Sequence, residues 1–588
     1  MPQDLAPLSP LPAGKAQPVT RLAATPSATA AELDSMVHAI EGRLTGGTSL
    51  AAQWLSAMDW GVHFANAPFR RLELMSEAAT QWARLGSAID GETVIEPSPA
   101  DHRFSSPAWQ QPPFKLMSQA FLLAEEWWLK VAEAPPGVDH ANQRMVAFQT
   151  RQFVDMFSPS NIPWLNPEVI AVTLASGGTN FFKGAENLRL DAGVALTGHH
   201  HGPEAFVVGR DLAATPGKVV FRNELIELLQ YAPTTPSVAR EPVLIVPAWI
   251  MKYYILDLSP HNSLIRHLVG QGHTVFCISW RNPDASFREI GFDDYRSRGV
   301  MAALDAVTDI CHGAKVHATG YCLGGTLLAI AAAAMARDGD PRLASVTLFC
   351  AQTDFTEAGE LQLFVTEDQL AFLEDVMREQ GYLDSRQMAG SFQMLRSNDL
   401  FWSRLIKAYC LGEQDHPNDL MTWNADGTRM PARMHSEYLR RLFLNNDLAE
   451  GRFPAAGRPV ALSDIRVPLF VVGTETDHVA PWHSVFKIHL LNESELTFVL
   501  TSGGHNAGVV SPPGVKNRHY RIRERGPLGL YVGPDDWMNQ AELRDGSWWP
   551  AWTAWLDARS GERVAPPAMG SEGYPAIDEA PGRYVLEH

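Results

Sequence analysis

Residues 316–328 read V-H-A-T-G-Y-C-L-G-G-T-L-L, a short β-forming run, a glycine-flanked turn and a helical run with nothing between them. That junction restricts the fold sharply, because it suits a strand that ends at the edge of a sheet and passes at once into a crossover helix. Gly320 and Gly324 flank Cys322 at the G-x-S-x-G spacing, with cysteine in the serine position. The turn brings neighbouring backbone close together and leaves no space for Cβ atoms, so glycine is needed on both sides. The strained apex then projects the Cys322 side chain over the sheet edge. A helix starting near Leu323 presents unpaired N–H groups and a positive dipole end, which favour a thiolate at Cys322.

The surrounding texture supports a parallel sheet. After about residue 235, β-rich runs at 243–246, 274–278, 316–319, 345–349, 469–472 and 497–500 alternate with helical segments. The interval between 349 and 469 is far longer than a crossover requires and carries Phe364, Phe401, Trp402 and Trp423. It reads as a cap inserted at about 355–460. Residues 31–232 read as a mostly helical N-terminal domain, as in S-Q-A-F-L-L-A-E-E-W-W-L-K-V-A-E-A from Ser118, which Pro135 and Pro136 end. Residues 1–30, rich in Pro, Ala, Thr and Ser, read as a flexible tail. At 588 residues with 45% apolar content the chain outgrows one core and can bury a large one.

A nucleophile on such a turn is served by an acid and then a histidine, each on a loop after a later strand. Asp477 follows the run 469–472 in V-V-G-T-E-T-D-H-V-A-P-W, and His505 follows the run 497–500 in T-S-G-G-H-N-A-G. His505 would take the thiol proton and later that of an incoming hydroxyl, while Asp477 fixes its tautomer. Glu475 and His478 are the rival acid and base and rank second. An oxyanion would need two N–H donors, one from Leu323 and one from the loop 246–250, where Trp249 or Ile250 is the candidate.

Charge and composition exclude other roles. The formal net charge of −18, with no long Lys/Arg run, opposes nucleic-acid binding. Five scattered cysteines form neither a disulfide framework nor a C-x-x-C pair, which fits a reducing compartment. The N-terminal stretch lacks the basic-then-apolar order of an export signal. The longest all-apolar run, 327–336, is too short to span a bilayer, so no membrane span is expected. The tract His199-His200-His201 has no acidic or cysteine partner at a ligand spacing and reads as an exposed loop; no metal and no cofactor is expected.

With these residues in place, the chain resembles the polyhydroxyalkanoate synthases over roughly residues 100–560, the single-subunit, class I-like enzymes in particular. The resemblance rests on R-F-S-S-P-A-W at 103–109, W-I-M-K-Y-Y-I-L-D-L at 249–258, G-Y-C-L-G-G at 320–325, D-L-M-T-W-N-A-D at 419–426, T-D-H-V-A-P-W at 476–482 and G-S-W-W-P-A-W at 546–552. It implies an α/β-hydrolase fold with an inserted cap and a mostly helical N-terminal domain. It also implies polymerisation of (R)-3-hydroxyacyl-CoA, short-chain 3-hydroxybutyryl-CoA above all, with CoA released and the chain held as a thioester on Cys322. Cytoplasmic homodimers on polyester granules are implied as well. Met251 and Asn506 depart from the family pattern. A thioesterase or depolymerase-type hydrolase on the same fold, or a non-catalytic granule-binding protein, are the alternatives.

Overall fold

The computed structural model describes residues 28–45, 47–98, 101–133, 135–197, 206–385, 387–388, 401–414 and 418–588. Its centre is one sheet of eleven strands. In chain order they are β1 (Gly217–Arg222), β2 (Ile226–Tyr231), β3 (Val243–Val246), β4 (Val275–Trp280), β5 (Val316–Tyr321), β6 (Leu343–Phe349), β7 (Leu469–Thr474), β8 (Leu496–Thr501), β9 (His519–Arg525), β10 (Glu542–Asp545) and β11 (Asp578–Glu579). The spatial order is β10-β9-β8-β7-β6-β5-β3-β4-β2-β1-β11. The six central strands from β8 to β4 are parallel, and antiparallel strands extend the sheet at both ends. All six runs expected as strands lie in this parallel centre.

Period-two alternation builds two cores, one on each face of the sheet. Along β7, Leu469 and Val471 enter one core while Phe470 and Val472 enter the other. Every residue of β5, β7 and β8 is buried, as befits strands covered on both faces.

The helical reading of residues 31–232 requires correction at its C-terminal end, because β1 and β2 belong to the sheet. Ile226–Tyr231, I-E-L-L-Q-Y, is buried throughout, and its two polar residues obscure a strand pattern. Glu227 accepts from Arg222 of β1 at 2.7 Å, and the other partners lie far downstream. The Glu227 carboxylate accepts the Arg583 and Tyr584 backbone N–H groups, each at 2.9 Å, and Gln230 donates to the Ala568 carbonyl at 2.9 Å. The 1–30 tail falls largely outside the described residues, with α1 beginning at Ala28.

Among the described residues seven α-helices precede the sheet: α1 (Ala28–Thr45), α2 (Leu50–Ala65), α3 (Pro68–Ile89), α4 (Phe114–Ala132), α5 (His140–Met156), α6 (Pro167–Ser176) and α7 (Thr179–Thr197). They are laid partly on the inserted interval between β6 and β7. His38 of α1 meets Asp375 of a helix spanning Glu367–Gln380 at 2.9 Å, and Asn180 of α7 donates to the Cys410 carbonyl at 2.7 Å. The quoted motifs at 249–258 and 419–426 bind each other. The Trp423 indole donates to the Lys252 carbonyl at 2.8 Å, and Tyr254 donates to Asp426 at 2.9 Å. Among the described residues no helix is long and apolar enough to cross a membrane.

Arg103, from R-F-S-S-P-A-W, ties α4 and α5 together. Its guanidinium reaches Asp101 at 2.7 Å, Glu125 of α4 at 2.9 Å and Asp155 of α5 at 2.9 Å, beside the buried Phe104 and Trp109. Burial pushes the Glu125 carboxyl up while Arg103 pulls it down. Arg103→Leu strands three carboxylates together and should cost about 3–5 kcal/mol. Denaturant unfolding and faster amide exchange in α4 and α5 will read this, whereas Arg189→Leu, in an exposed pair, should leave both unchanged.

Candidate active site

Cys322 joins β5 to the helix Leu323–Asp338 with φ 54° and ψ −127°, a conformation that non-glycine residues rarely adopt. Strain of this kind costs roughly 1–3 kcal/mol and persists where its surroundings enforce it. Those surroundings are visible: the Cys322 N–H donates to the Phe349 carbonyl at 2.8 Å, and its own carbonyl accepts from Gly325 at 2.8 Å. The flanking glycines are steric requirements. A Cβ on Gly324 would stand 2.3 Å from the Val246 carbonyl oxygen, and one on Gly320 would stand 2.4 Å from Gly325 Cα.

The register carries the partners to the same edge. Tyr321 lies opposite Phe349, Phe349 opposite Val472, and Thr474 opposite Thr501, so the loops after β5, β7 and β8 open side by side. Backbone bonds from Glu475 to the Thr501 carbonyl (3.0 Å) and from Thr476 to the Gly503 carbonyl (3.1 Å) fasten the last two loops together. There His505 Nδ1 meets Asp477 Oδ2 at 2.7 Å. Asp477 is 7% exposed, and its Oδ1 accepts the Val479 and Ala480 N–H groups, each at 2.8 Å. Burial raises the Asp477 carboxyl, but His505 and these donors outweigh it and hold it below its ordinary value. Burial likewise opposes the His505 imidazolium, but Asp477 and then Cys322 hold its pKa well above the ordinary imidazole range.

The C-terminal motif supports this loop from behind. The Trp548 and Trp549 indoles donate to the Gly508 and Val509 carbonyls, each at 2.9 Å. Asn506, the departure noted in the sequence, accepts the Tyr321 hydroxyl at 2.6 Å, and the Tyr321 ring lies 5.5 Å from that of His505. This pair links the residue before Cys322 to the residue after His505. Sequence reading singled out Asn506 only as an exception and did not find its partner.

The rival residues are engaged elsewhere or exposed. Glu475 Oε1 pairs with His519 Nε2 at 3.1 Å, and His478 is exposed. Of the oxyanion candidates, Leu323 and Ile250 border the same cavity as Cys322, whereas the Trp249 ring packs in the core against Trp280 and Tyr295. The Trp249 carbonyl accepts from Thr428, so the Ile250 N–H, antiparallel across a trans peptide, faces away from Thr428.

Among the described residues, one group could place metal-ligand atoms together: Cys350, Asp477 and His505, within 4.8 Å of one another. Burial keeps the Cys350 thiol well above its ordinary pKa, hence protonated, and His505 Nδ1 is already paired with Asp477. The His199-His200-His201 tract lies outside the described residues.

Above Cys322 is a cavity of about 110 Å³. The inserted interval supplies much of its lining, including Phe364, Val365, Leu373, Leu383, Met430 and Phe443. A thiol beside an imidazole oriented by a carboxylate, under an apolar cover, can attack an acyl carbonyl and hold the acyl group away from water.

Comparison with known proteins gives three family matches: "Poly-beta-hydroxybutyrate polymerase N terminal" over residues 28–70, "Poly-beta-hydroxybutyrate polymerase (PhaC) N-terminus" over 100–268, and "alpha/beta hydrolase fold" over 241–512. A poly(3-hydroxyalkanoate) polymerase of Methylorubrum extorquens is 40% identical over 564 residues, covering 95% of this chain and 90% of its own. The poly(3-hydroxyalkanoate) polymerase subunit PhaC of Rhizobium etli is 38% identical, covering 88% and 82%. Its namesake in Cupriavidus necator is also 38% identical, covering 82% and 83%.

Two substitutions test the geometry. Gly324→Ala should destabilise by about 3 kcal/mol or more in denaturant unfolding, because the added methyl strikes backbone. Gly270→Ala, where nothing lies within 4 Å, should not destabilise. Asp477→Asn should lower the His505 titration midpoint in NMR spectra and reduce turnover by about 10⁴-fold, since the amide favours the wrong imidazole tautomer.

Proposed function

Because the chain belongs to the poly(3-hydroxyalkanoate) polymerase family, an acyltransferase family, we propose that it polymerises (R)-3-hydroxyacyl-CoA, with 3-hydroxybutyryl-CoA the main substrate, through a thioester on Cys322. In the first step His505 Nε2 takes the thiol proton as the Cys322 sulfur attacks the thioester carbonyl. A new carbon–sulfur bond forms, the bond to CoA breaks, and the CoA sulfur leaves with the proton from His505. In the second step His505 removes the proton of a 3-hydroxyl, whose oxygen attacks the Cys322 thioester. An ester forms and the sulfur is released.

Leu323 and Ile250 are the proposed N–H donors to the oxyanion in both steps. Thioester exchange at Cys322 changes free energy little, so the acyl group remains activated for an alcohol. The observation that carries this reading is the Asp477–His505 pair at 2.7 Å on the edge where Cys322 projects, beneath an apolar cavity. Such a cover disfavours water as the acceptor and so favours transfer over hydrolysis. Homodimers, a cytoplasmic location and attachment to the growing polyester belong to the same proposal.

Incubating the protein with (R)-3-hydroxybutyryl-CoA should release CoA and form insoluble polyester. Cys322→Ala should abolish both, together with covalent labelling. Release with only free acid would make the protein a hydrolase, and normal turnover by Cys322→Ala would refute the thioester mechanism.

A further inference from the structure

The short helix Ala432–Tyr438 in the cap interval turns one face toward Cys322, and His435 lies on that face. His435 is 6% exposed, and its Nδ1 is fully buried with no hydrogen-bond partner among the described residues. Burial also pushes its pKa down to about 4, so the ring is neutral at physiological pH.

Its neighbours in the lining are mostly Leu, Met, Phe and Val. The other polar side chains there are largely engaged. Thr326 donates to the Gln352 carbonyl at 2.8 Å, Gln352 donates to Ser484 at 3.1 Å, and the Gln387 side-chain oxygen accepts from Gln380 at 3.0 Å and from the Asp384 N–H at 3.1 Å. Tyr438, one turn along the same helix, borders the cavity beside His435.

A buried polar atom without a partner costs free energy, and native structures keep few of them without a purpose. In a cavity that faces the proposed nucleophile, the missing partner is a polar atom of the acyl group. We infer that His435 recognises the 3-hydroxyl of the acyl group transferred to Cys322, through Nδ1, in a cavity otherwise suited to hydrocarbon. This rests on the reading under Proposed function. A hydroxyl both donates and accepts, so it pairs with either imidazole tautomer. An acyl group without the hydroxyl leaves Nδ1 unpaired, which is how a site built for a hydroxyl rejects the analogue that lacks it.

The test compares (R)-3-hydroxybutyryl-CoA with butyryl-CoA. Acylation of Cys322 is followed by rapid quench and mass spectrometry of the intact protein, so neither polymerisation nor product release enters. The native protein should acylate faster with the hydroxylated substrate. His435→Phe should slow that reaction by about ten- to hundredfold while changing the butyryl-CoA rate by less than about threefold. His435→Asn, whose amide places a polar atom near the position of Nδ1, should retain much of the discrimination. His435→Leu serves in place of the Phe variant if the larger ring disturbs folding.

Equal slowing with both substrates, equal rates in the native protein, or an Asn variant no better than Phe would overturn the inference. A native protein acylated by neither substrate would instead overturn the proposed function, and this inference with it.

Discussion

The register of the parallel strands is the constraint on which the site depends. Val246 opposite Gly320, Tyr321 opposite Phe349 and Thr474 opposite Thr501 bring three carboxyl ends level, and the chain leaves the sheet there as the turn at Cys322 and the loops of Asp477 and His505. A slip of one residue in any pairing would move that strand's side chains to the opposite face and carry its loop out of reach. The glycines enforce the same register from the side. Gly324 lies so close to the Val246 and Pro247 carbonyls that β3 and the helix Leu323–Asp338 approach at backbone distance.

A second layer of constraint keeps the loops from relaxing. The Trp548 and Trp549 indoles hold the carbonyls of 508 and 509, and Tyr321 ties to Asn506. These are hydrogen bonds between large, largely buried side chains and backbone or loop, the kind that fix orientation as well as contribute energy. The strained Cys322 backbone and the buried Asp477–His505 pair are both costly arrangements, and the packed sheet beneath them supplies the stability that offsets the cost.

The cap interval and the N-terminal helices act through one another. Asp375 and Cys410, both in the interval over the cavity, are contacted by α1 and α7, so the helical layer steadies the cover as well as enclosing its own small core. The cover is tied separately, through Trp423 and Asp426, to the segment that follows β3. The cavity is thereby walled by elements from distant parts of the chain, and its apolar character follows from which of their faces meet.

The strand-turn-helix at 316–328 was legible in the sequence because its signals are local: glycines at fixed spacing, a β-forming run before and a helical run after. Asp477 and His505 were legible for a similar reason, each closing a recognisable strand. Tertiary structure decided what depends on distant partners. β2 reads as part of a helical region because Glu227 and Gln230 interrupt its apolar pattern, and their partners come from Arg222 on the neighbouring strand and from the C-terminal segment more than 300 residues away. Glu475 and Asp477 share one loop and one chemistry, and only the fold turned the first to His519 and the second to His505. His435 stands on a polar-looking stretch of helix, M-H-S-E-Y, and nothing in that stretch says which face will be buried. Sequence determines propensity and spacing over a few residues, whereas the burial of a polar atom is set by what the rest of the chain places against it.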